Sequence, residues 1–351
     1  MESLSVLLVG CGNIAGGFDT HRATAAPPVT HAGAYAAHGG YRLAACIEQD
    51  RDTRLAFMRS WRIPLGFAGF DELASMTSTS TSTSTSASIH TSTSTSTPAF
   101  DVVSICSPTI SHFNDALRAL KLQPRILFCE KPICSTVEQA EELVQRCRAA
   151  NVHLAVNHNR RWDSSVIGLK SELASGQWGK VRSATGYYNK GILNNGSHML
   201  DLMRDLLGPL ELLHAGTPVY DYTDDDPSIP ATLVSRAGVP VSLSCGHAAD
   251  YSLFELQLVT ERGTIRMESG GLTWHHRIAG PSLQFKGYQT LLPSVTVEGH
   301  YLQTMTAAVG NIYGVLTGEL HLASTGETAL QTHRLCYAIR QTATHGARLP
   351  I

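Results

Sequence analysis

The stretch Leu4-Ser5-Val6-Leu7-Leu8-Val9-Gly10-Cys11-Gly12-Asn13-Ile14-Ala15 runs from a short apolar segment straight into a glycine turn. The apolar part reads as a buried strand, and Gly-x-Gly-x-x-Ala after it reads as the cradle of a dinucleotide pyrophosphate. Gly10 permits the tight turn. Gly12 removes the Cβ that would bar a phosphate, and Ala15 is small enough for close helix-on-strand packing. Asn13 and Ile14 complete the turn, and the helix N-terminus that follows offers free N–H groups and the positive end of a dipole. A second apolar run, Ile126–Cys129, leads into Glu130-Lys131-Pro132. That is a strand end presenting a lysine to whatever the dinucleotide reacts with. Together the two stretches read as a nicotinamide-dependent oxidoreductase.

Outward from these landmarks, short apolar runs alternate with amphipathic segments, the pattern of a parallel sheet with covering helices. Strands are expected at Leu4–Val9, Tyr41–Ile47, 101–106, Ile126–Cys129 and 152–156. Helices are expected at 30–38, Arg51–Trp61, 111–121 and 135–150, the last capped by Ser135 with Glu138 closing a capping box. The stretch 77–97 is almost pure alternating Ser and Thr. It lacks an apolar face and reads as a solvated insert. Beyond Asn157 the texture changes to closely spaced strands (179–189, 232–236, 239–247, 253–260, 264–267) with helices at 164–175, 198–207, 301–317 and 325–344. Glu261-Arg262-Gly263 reads as a hairpin turn. The expected fold class is therefore α/β: a dinucleotide-binding domain over 1–157, then an α+β domain over 158–351 with a largely antiparallel sheet.

A chain of 351 residues, 43% hydrophobic and 16% charged, has ample material for two packed cores. A net charge of -2 excludes a general attraction to nucleic acid or anionic membrane. The eight cysteines are scattered with no CxxC pair, which suits reduced thiols in a cytoplasmic protein and no metal site. No run is long enough to span a bilayer. The opening apolar run follows Glu2 rather than a basic segment, so no signal peptide is expected.

Glu48, ending the second strand, is placed to bind the ribose hydroxyls. Its carboxylate favours NAD by repelling a 2′-phosphate, while Arg51 and Arg54 leave NADP open. The extra length before it, 17–29, reads as a Gly/Pro/Ala-rich loop inserted ahead of a helix. Ser107 and Pro108 follow the strand at 101–106 and should line the nicotinamide side, since ligands of open α/β sheets bind at strand carboxyl ends. His112 reads equally as a cofactor contact or as a packing residue.

Further pieces recur in a fixed order: Cys129-Glu130-Lys131-Pro132, Asn157-His158-Asn159-Arg160-Arg161-Trp162, Gly196-Ser197-His198-Met199-Leu200-Asp201 and Thr325-Gly326-Glu327. With Gly10–Ala15 and Ser107-Pro108-Thr109, they make the chain resemble the glucose–fructose oxidoreductase / inositol dehydrogenase (Gfo/Idh/MocA) family over nearly its whole length. The resemblance implies an N-terminal Rossmann domain, a C-terminal domain on a large open sheet, and a homo-oligomer formed through that sheet. It implies that Lys131 hydrogen-bonds the reacting oxygen, a role with its own logic because an ammonium stabilises a developing alkoxide. It implies that His198 is the acid/base, neutral at a helix N-terminus. Glu130 would pair with Lys131 or shape the nicotinamide pocket, and Arg160 and Arg161 match a region contacting substrate. Tyr187, Tyr188 and Lys190 lead toward the same pocket. The family usually carries Asp four residues before the histidine; this chain has Asn194, which can bind a hydroxyl but cannot relay a proton. The implied substrate is a sugar, cyclitol or sugar derivative. Two other readings stand beside this one: a redox-neutral enzyme with tightly bound NAD (epimerisation or elimination), and a dinucleotide-binding sensor.

Overall fold

The structure, a computed structural model, describes residues 3–23, 25–78 and 100–345. Most of the Ser/Thr insert, 79–97, lies outside the described residues. The chain forms two compact units, Met1–Asn157 with Met305–Gly326, and His158–Thr304 with Glu327–Ile351.

The first unit is a six-stranded parallel sheet of β1 (Leu4–Val9), β2 (Tyr41–Ile47), β3 (Leu65–Phe67), β4 (Val102–Ile105), β5 (Ile126–Cys129) and β6 (His153–Val156), in the order β3-β2-β1-β4-β5-β6. Crossover helices are α1 (His31–His38), α2 (Arg51–Trp61), α3 (Phe70–Ser78), α4 (Thr109–Leu120) and α5 (Val137–Ala149). Strand order reverses between β1 and β4, so a crevice opens at their carboxyl ends. Continuous apolar strands fit burial on both faces: Val6, Leu7, Leu8, Val102, Val103 and Ile105 have no exposed area. Helix α5 begins one residue later than the capping-box reading placed it. Thr136 is the cap, its hydroxyl accepting from the Gln139 N–H at 3.2 Å.

The return of Met305–Gly326 to this unit lies beyond the single boundary read from the sequence. Its reason is hydrogen bonding: the Ser324 hydroxyl donates to the Val156 carbonyl (2.6 Å) and the Tyr41 hydroxyl to the Val309 carbonyl (2.9 Å).

The second unit holds α6 (Ser164–Ala174), β7 (Val181–Tyr188), α7 (Ser197–Leu207), β8 (Leu210–Ala215), β9 (Val219–Thr223), β10 (Asp226–Ser228), β11 (Ala231–Ser235), β12 (Pro240–Cys245), β13 (Phe254–Thr260), β14 (Gly263–Glu268), β15 (Thr273–Pro281), β16 (Gln289–Leu291) and β17 (Val295–Glu298). Helix α8 (Thr304–Leu316) carries the chain back to the first unit, and α9 (Gly326–His345) runs on into the second. The large sheet has the order β16-β15-β14-β13-β7-β12-β11-β8, with β17 on β15 and β9-β10 as a separate ribbon. Its pairs are antiparallel except β7 with β12. Helix α7 packs its Met199 and Met203 so closely on β7 that a Cβ at Gly186 would lie 2.6 Å from the Met203 methyl. No described helix is long and apolar enough to cross a membrane. All eight cysteines are free thiols, seven of them buried.

Candidate active site

The crevice between β1 and β4 is a cleft of about 680 Å³, lined by Gly10, Gly12, Asn13, Ile14, Glu48, Ser107 and Pro108 among others. Seven residues named from the sequence for the cofactor thus share one cleft. Gly10 has φ +86°, and a Cβ there would meet the Ser107 nitrogen at 2.7 Å, so the close approach of the two loops requires glycine. At Gly12 a Cβ would meet nothing within 4 Å: its face is open to the cleft, as a phosphate cradle must be.

The helical turn after the glycines differs from expectation. Gly16 and Phe18 donate to the carbonyls of Gly12 (3.2 Å) and Asn13 (3.0 Å). The chain then loops out and rejoins at α1, where His31 and Ala32 donate to the carbonyls of Ile14 (3.2 Å) and Ala15 (2.8 Å). Helix α1 therefore continues a turn begun at Gly12, and its own first N–H groups are taken. The anion-facing end is the turn over 12–15, not the start of α1. Asp19 secures the excursion by accepting from the Val29 N–H (3.1 Å) and the Thr30 N–H (3.0 Å). Ala15 is fully buried behind the turn, where its small size serves packing.

Glu48 follows β2 and lies half-buried, its oxygens accepting from the Cys11 N–H (3.1 Å) and the Asp50 N–H (3.1 Å). The carboxylate is thereby fixed against the glycine turn. Arg54 donates to the Glu48 carbonyl. Ser107 donates to the Asp115 carboxylate at 2.7 Å, and burial raises the Asp115 carboxyl above its ordinary range despite that bond.

Glu130 and Lys131 follow β5, the neighbour of β4 in the same sheet. Glu130 is buried; its Oε1 accepts from His31 Nε2 (2.9 Å) and Asn157 Nδ2 (2.6 Å). Its pairing is thus with His31, which the sequence reading passed over, and with Asn157, which it quoted in a motif without a role. Burial pushes the Glu130 carboxyl up, but hydrogen bonds and charge from His31, Asn157 and Lys131 outweigh it and hold the group below the ordinary glutamate range. Lys131 itself is half-buried. His112 is buried with Nδ1 2.8 Å from the Pro132 carbonyl and Nε2 2.8 Å from the Ser107 carbonyl. It braces the two loops against each other and is a packing residue, not a cleft contact.

In the second unit, Asn194 and His198 lie on one helical stretch. A π-helical turn, Gly191–Gly196, runs directly into α7. His198 is therefore not at an open helix N-terminus. The start of the stretch is capped by Asp226, which accepts from the Leu193 and Asn194 N–H groups, each at 2.9 Å. The free N–H groups at that end are thus met by a carboxylate. π-turns of this kind recur at functional sites. The His198 ring stands edge-on to the His158 ring, centroids 5.8 Å apart.

Three expectations are corrected. Tyr188 is fully buried, its hydroxyl donating to the Ile229 carbonyl (2.9 Å) and accepting from the Ile229 N–H (2.7 Å). It is core, because strand alternation puts it on the buried face with Ala184 and Gly186. Arg160 is buried over the rings of Phe254 (3.7 Å) and Tyr301 (4.8 Å), with Nη2 on the Gly270 carbonyl (2.9 Å). Its guanidinium is spent on packing rather than on substrate. Arg161 binds Asp201 (2.8 Å) and Asp205 (3.0 Å).

Residues 4–158 match an oxidoreductase family with an NAD-binding Rossmann fold, GFO_IDH_MocA. The chain is 26% identical over 186 residues to D-glucoside 3-dehydrogenase of Escherichia coli, covering 50% of this chain and 50% of that protein. It is 34% identical over 93 residues to the uncharacterized oxidoreductase YdgJ of the same organism, covering 26% of this chain and 27% of that one. The chain thus spans between about a quarter and a half of the length of these curated relatives. The WlbA dehydrogenase of Bordetella pertussis, solved with NADH and UDP-GlcNAcA, has a TM-score of 0.72 at 19% identity, covering 100% of this chain and 99% of that chain. At that identity the likeness shows the fold alone. With its glycine turn and Glu-Lys-Pro strand end set on a β3-β2-β1-β4-β5-β6 sheet, residues 4–158 of the chain match the NAD-binding Rossmann fold of the GFO_IDH_MocA oxidoreductase family.

Proposed function

We propose that the protein is an NAD-preferring dehydrogenase or reductase acting on a carbinol or carbonyl of a sugar, cyclitol or sugar derivative. The observation that carries this reading is the placement of a dinucleotide cleft and Lys131 at the carboxyl ends of adjacent strands of one sheet. The substrate class follows the glucoside and nucleotide-sugar names of the relatives above. The residues present fit the dinucleotide: Gly12 would leave its phosphates room, Glu48 would accept from the ribose hydroxyls, and Ser107 and Pro108 would line the nicotinamide side. When bound, that group supplies acceptance and return of a hydride. Lys131 donates to the reacting oxygen and stabilises its developing charge, and His198 takes or returns the hydroxyl proton. Asn194 serves as a hydrogen-bonding partner of substrate rather than as a proton carrier. Exposed apolar residues on the outer strands, Ile278 (57%) and Val295 (59%), support a homo-oligomer formed through the large sheet.

The test is a panel of sugars and polyols with NAD and NADP, read by nicotinamide absorbance, alongside native mass spectrometry for retained cofactor. Turnover with at least one sugar is expected; ligand-induced stabilisation with no turnover across the panel would favour the sensor reading instead. Asn194 in place of the usual Asp gives the redox-neutral reading its own support. Cofactor that copurifies and never exchanges would favour it. Because Glu48 is the carboxylate fixed at the ribose end, Glu48→Gln raises the ratio of kcat/KM for NADP over NAD by about tenfold. An unchanged ratio would remove Glu48 from cofactor choice.

A further inference from the structure

A buried ionisable cluster of the first unit holds Glu130, the residue immediately before Lys131, and the reaction scheme above leaves it without a role. His31 has no exposed area, and its ring packs on Phe128 with centroids 4.5 Å apart. Its Nε2 donates to Glu130 Oε1 at 2.9 Å, the only polarity open to it since a carboxylate accepts. Asn157, at the end of β6, donates to the same oxygen at 2.6 Å. The other oxygen, Oε2, accepts from the backbone N–H of Lys131 at 3.3 Å. The His31 backbone N–H meanwhile bonds the carbonyl of Ile14, within the turn that receives the dinucleotide.

Resting on the assignment of Lys131 to the reacting oxygen, we infer that His31 is a positioning residue: it links the phosphate-cradling turn to the Lys131 turn, and with Asn157 it keeps Glu130 as a buried anion behind the lysine. The physical reason is the cost of isolation. A carboxylate taken out of water without donors neutralises instead of staying charged. Once protonated, Glu130 turns from acceptor to donor at one oxygen, loses its attraction for the adjacent ammonium, and releases its hold on the Lys131 backbone. A lysine that must meet a reacting oxygen within hydrogen-bond reach is sensitive to such a shift. No bond is made or broken in this role; one proton is taken from solvent when the donor is removed.

The test uses the full chain with His31→Leu, which removes the donor, and His31→Gln, whose side-chain amide keeps one. The first readout is the infrared band of a protonated carboxyl at neutral pH. It should appear in H31L, and be absent from the parent, from H31Q and from an H31L protein that also carries Glu130→Gln. The second is NADH affinity by fluorescence, expected to stay within about threefold, together with a fall in kcat of about ten- to a hundredfold at little-changed KM in H31L, recovered in H31Q. Asn157→Leu withdraws the other donor from the same oxygen and gives the same infrared result with His31 intact, should H31L not fold. Absence of the band from both donor-less variants would overturn the inference, as would equal impairment of H31L and H31Q. A band in H31L with Lys131→Ala fully active would instead remove the lysine assignment on which the positioning role rests. No band with Lys131→Ala inactive would remove only the role of His31.

Discussion

Replacing Lys131 with alanine lowers kcat by about 10²- to 10³-fold, the cost of deleting one donor aimed at developing negative charge. The dinucleotide dissociation constant stays within about threefold, because the cleft is lined by the glycine turn, Glu48, Ser107 and Pro108 and not by Lys131. The separation of the two effects follows from topology. The cleft lining comes from the ends of β1, β2, β3 and β4, and the lysine from the end of β5. Steady-state kinetics on the best sugar of the panel and NADH fluorescence titration together measure it. Full turnover in K131A would take the lysine out of the reaction. Loss of NADH binding would make it a cofactor ligand.

The largest stability effect is expected at Asp201, which destabilises the second unit by about 3–5 kcal/mol when changed to asparagine. Asp201 is 1% exposed and receives Arg161 Nε at 2.8 Å, Arg161 Nη2 at 3.0 Å and the Thr332 hydroxyl at 3.0 Å, with His158 Nδ1 at 3.4 Å. Asparagine keeps the shape but turns an NH₂ toward those donors and leaves the Arg161 charge with only Asp205. Burial pushes the Asp201 carboxyl up. The charges of His158 and Arg161 and the hydrogen bonds from Arg161 and Thr332 outweigh it and hold the group below the ordinary aspartate range. Since the folded value lies below the unfolded one, the contribution is complete above about pH 4, the unfolded value, and is lost as pH falls through the folded value. Thermal unfolding at neutral pH should show a drop in Tm on the order of 10 °C in D201N. The variant should also show a shallower loss of stability on acidification. A change below about 1 kcal/mol would place this network among ion pairs of little net worth. The network also anchors α7 three residues past His198, so it holds the helix that carries the proposed acid/base residue.

Much of the first unit was legible because its strands are buried on both faces. β1 and β5 are almost wholly apolar and run into glycine and Glu-Lys-Pro, β2 is apolar from Leu43 to Ile47 and runs into Glu48, and those ends are where ligands of such sheets bind. β3 was not legible: three residues, Leu65–Phe67, give no period to read. In the second unit β13 and β14 announced themselves through alternation and the Glu261-Arg262-Gly263 turn, whereas β9, β10 and β15 carry Asp, Tyr, His and Pro in mixed order and β16 and β17 are only three and four residues long. Tyr188 was misread because Tyr187 and Tyr188 are both aromatic, so the sequence has no contrast to say which faces the core. Register against β12 and β13 decides it.

By itself the sequence determined the fold class, the glycine turn, the acidic end of β2 and the lysine after β5, since each depends on local period or on a motif contiguous in the chain. Only the tertiary structure decided where the buried charges go. His31 and Asn157 meet Glu130 from 99 and 27 residues away, Arg161 crosses 40 residues to Asp201, and Asp226 caps a turn 32 residues before it. Such partnerships form because a charge removed from water must find donors wherever the packed chain brings them, and no local pattern encodes that distance.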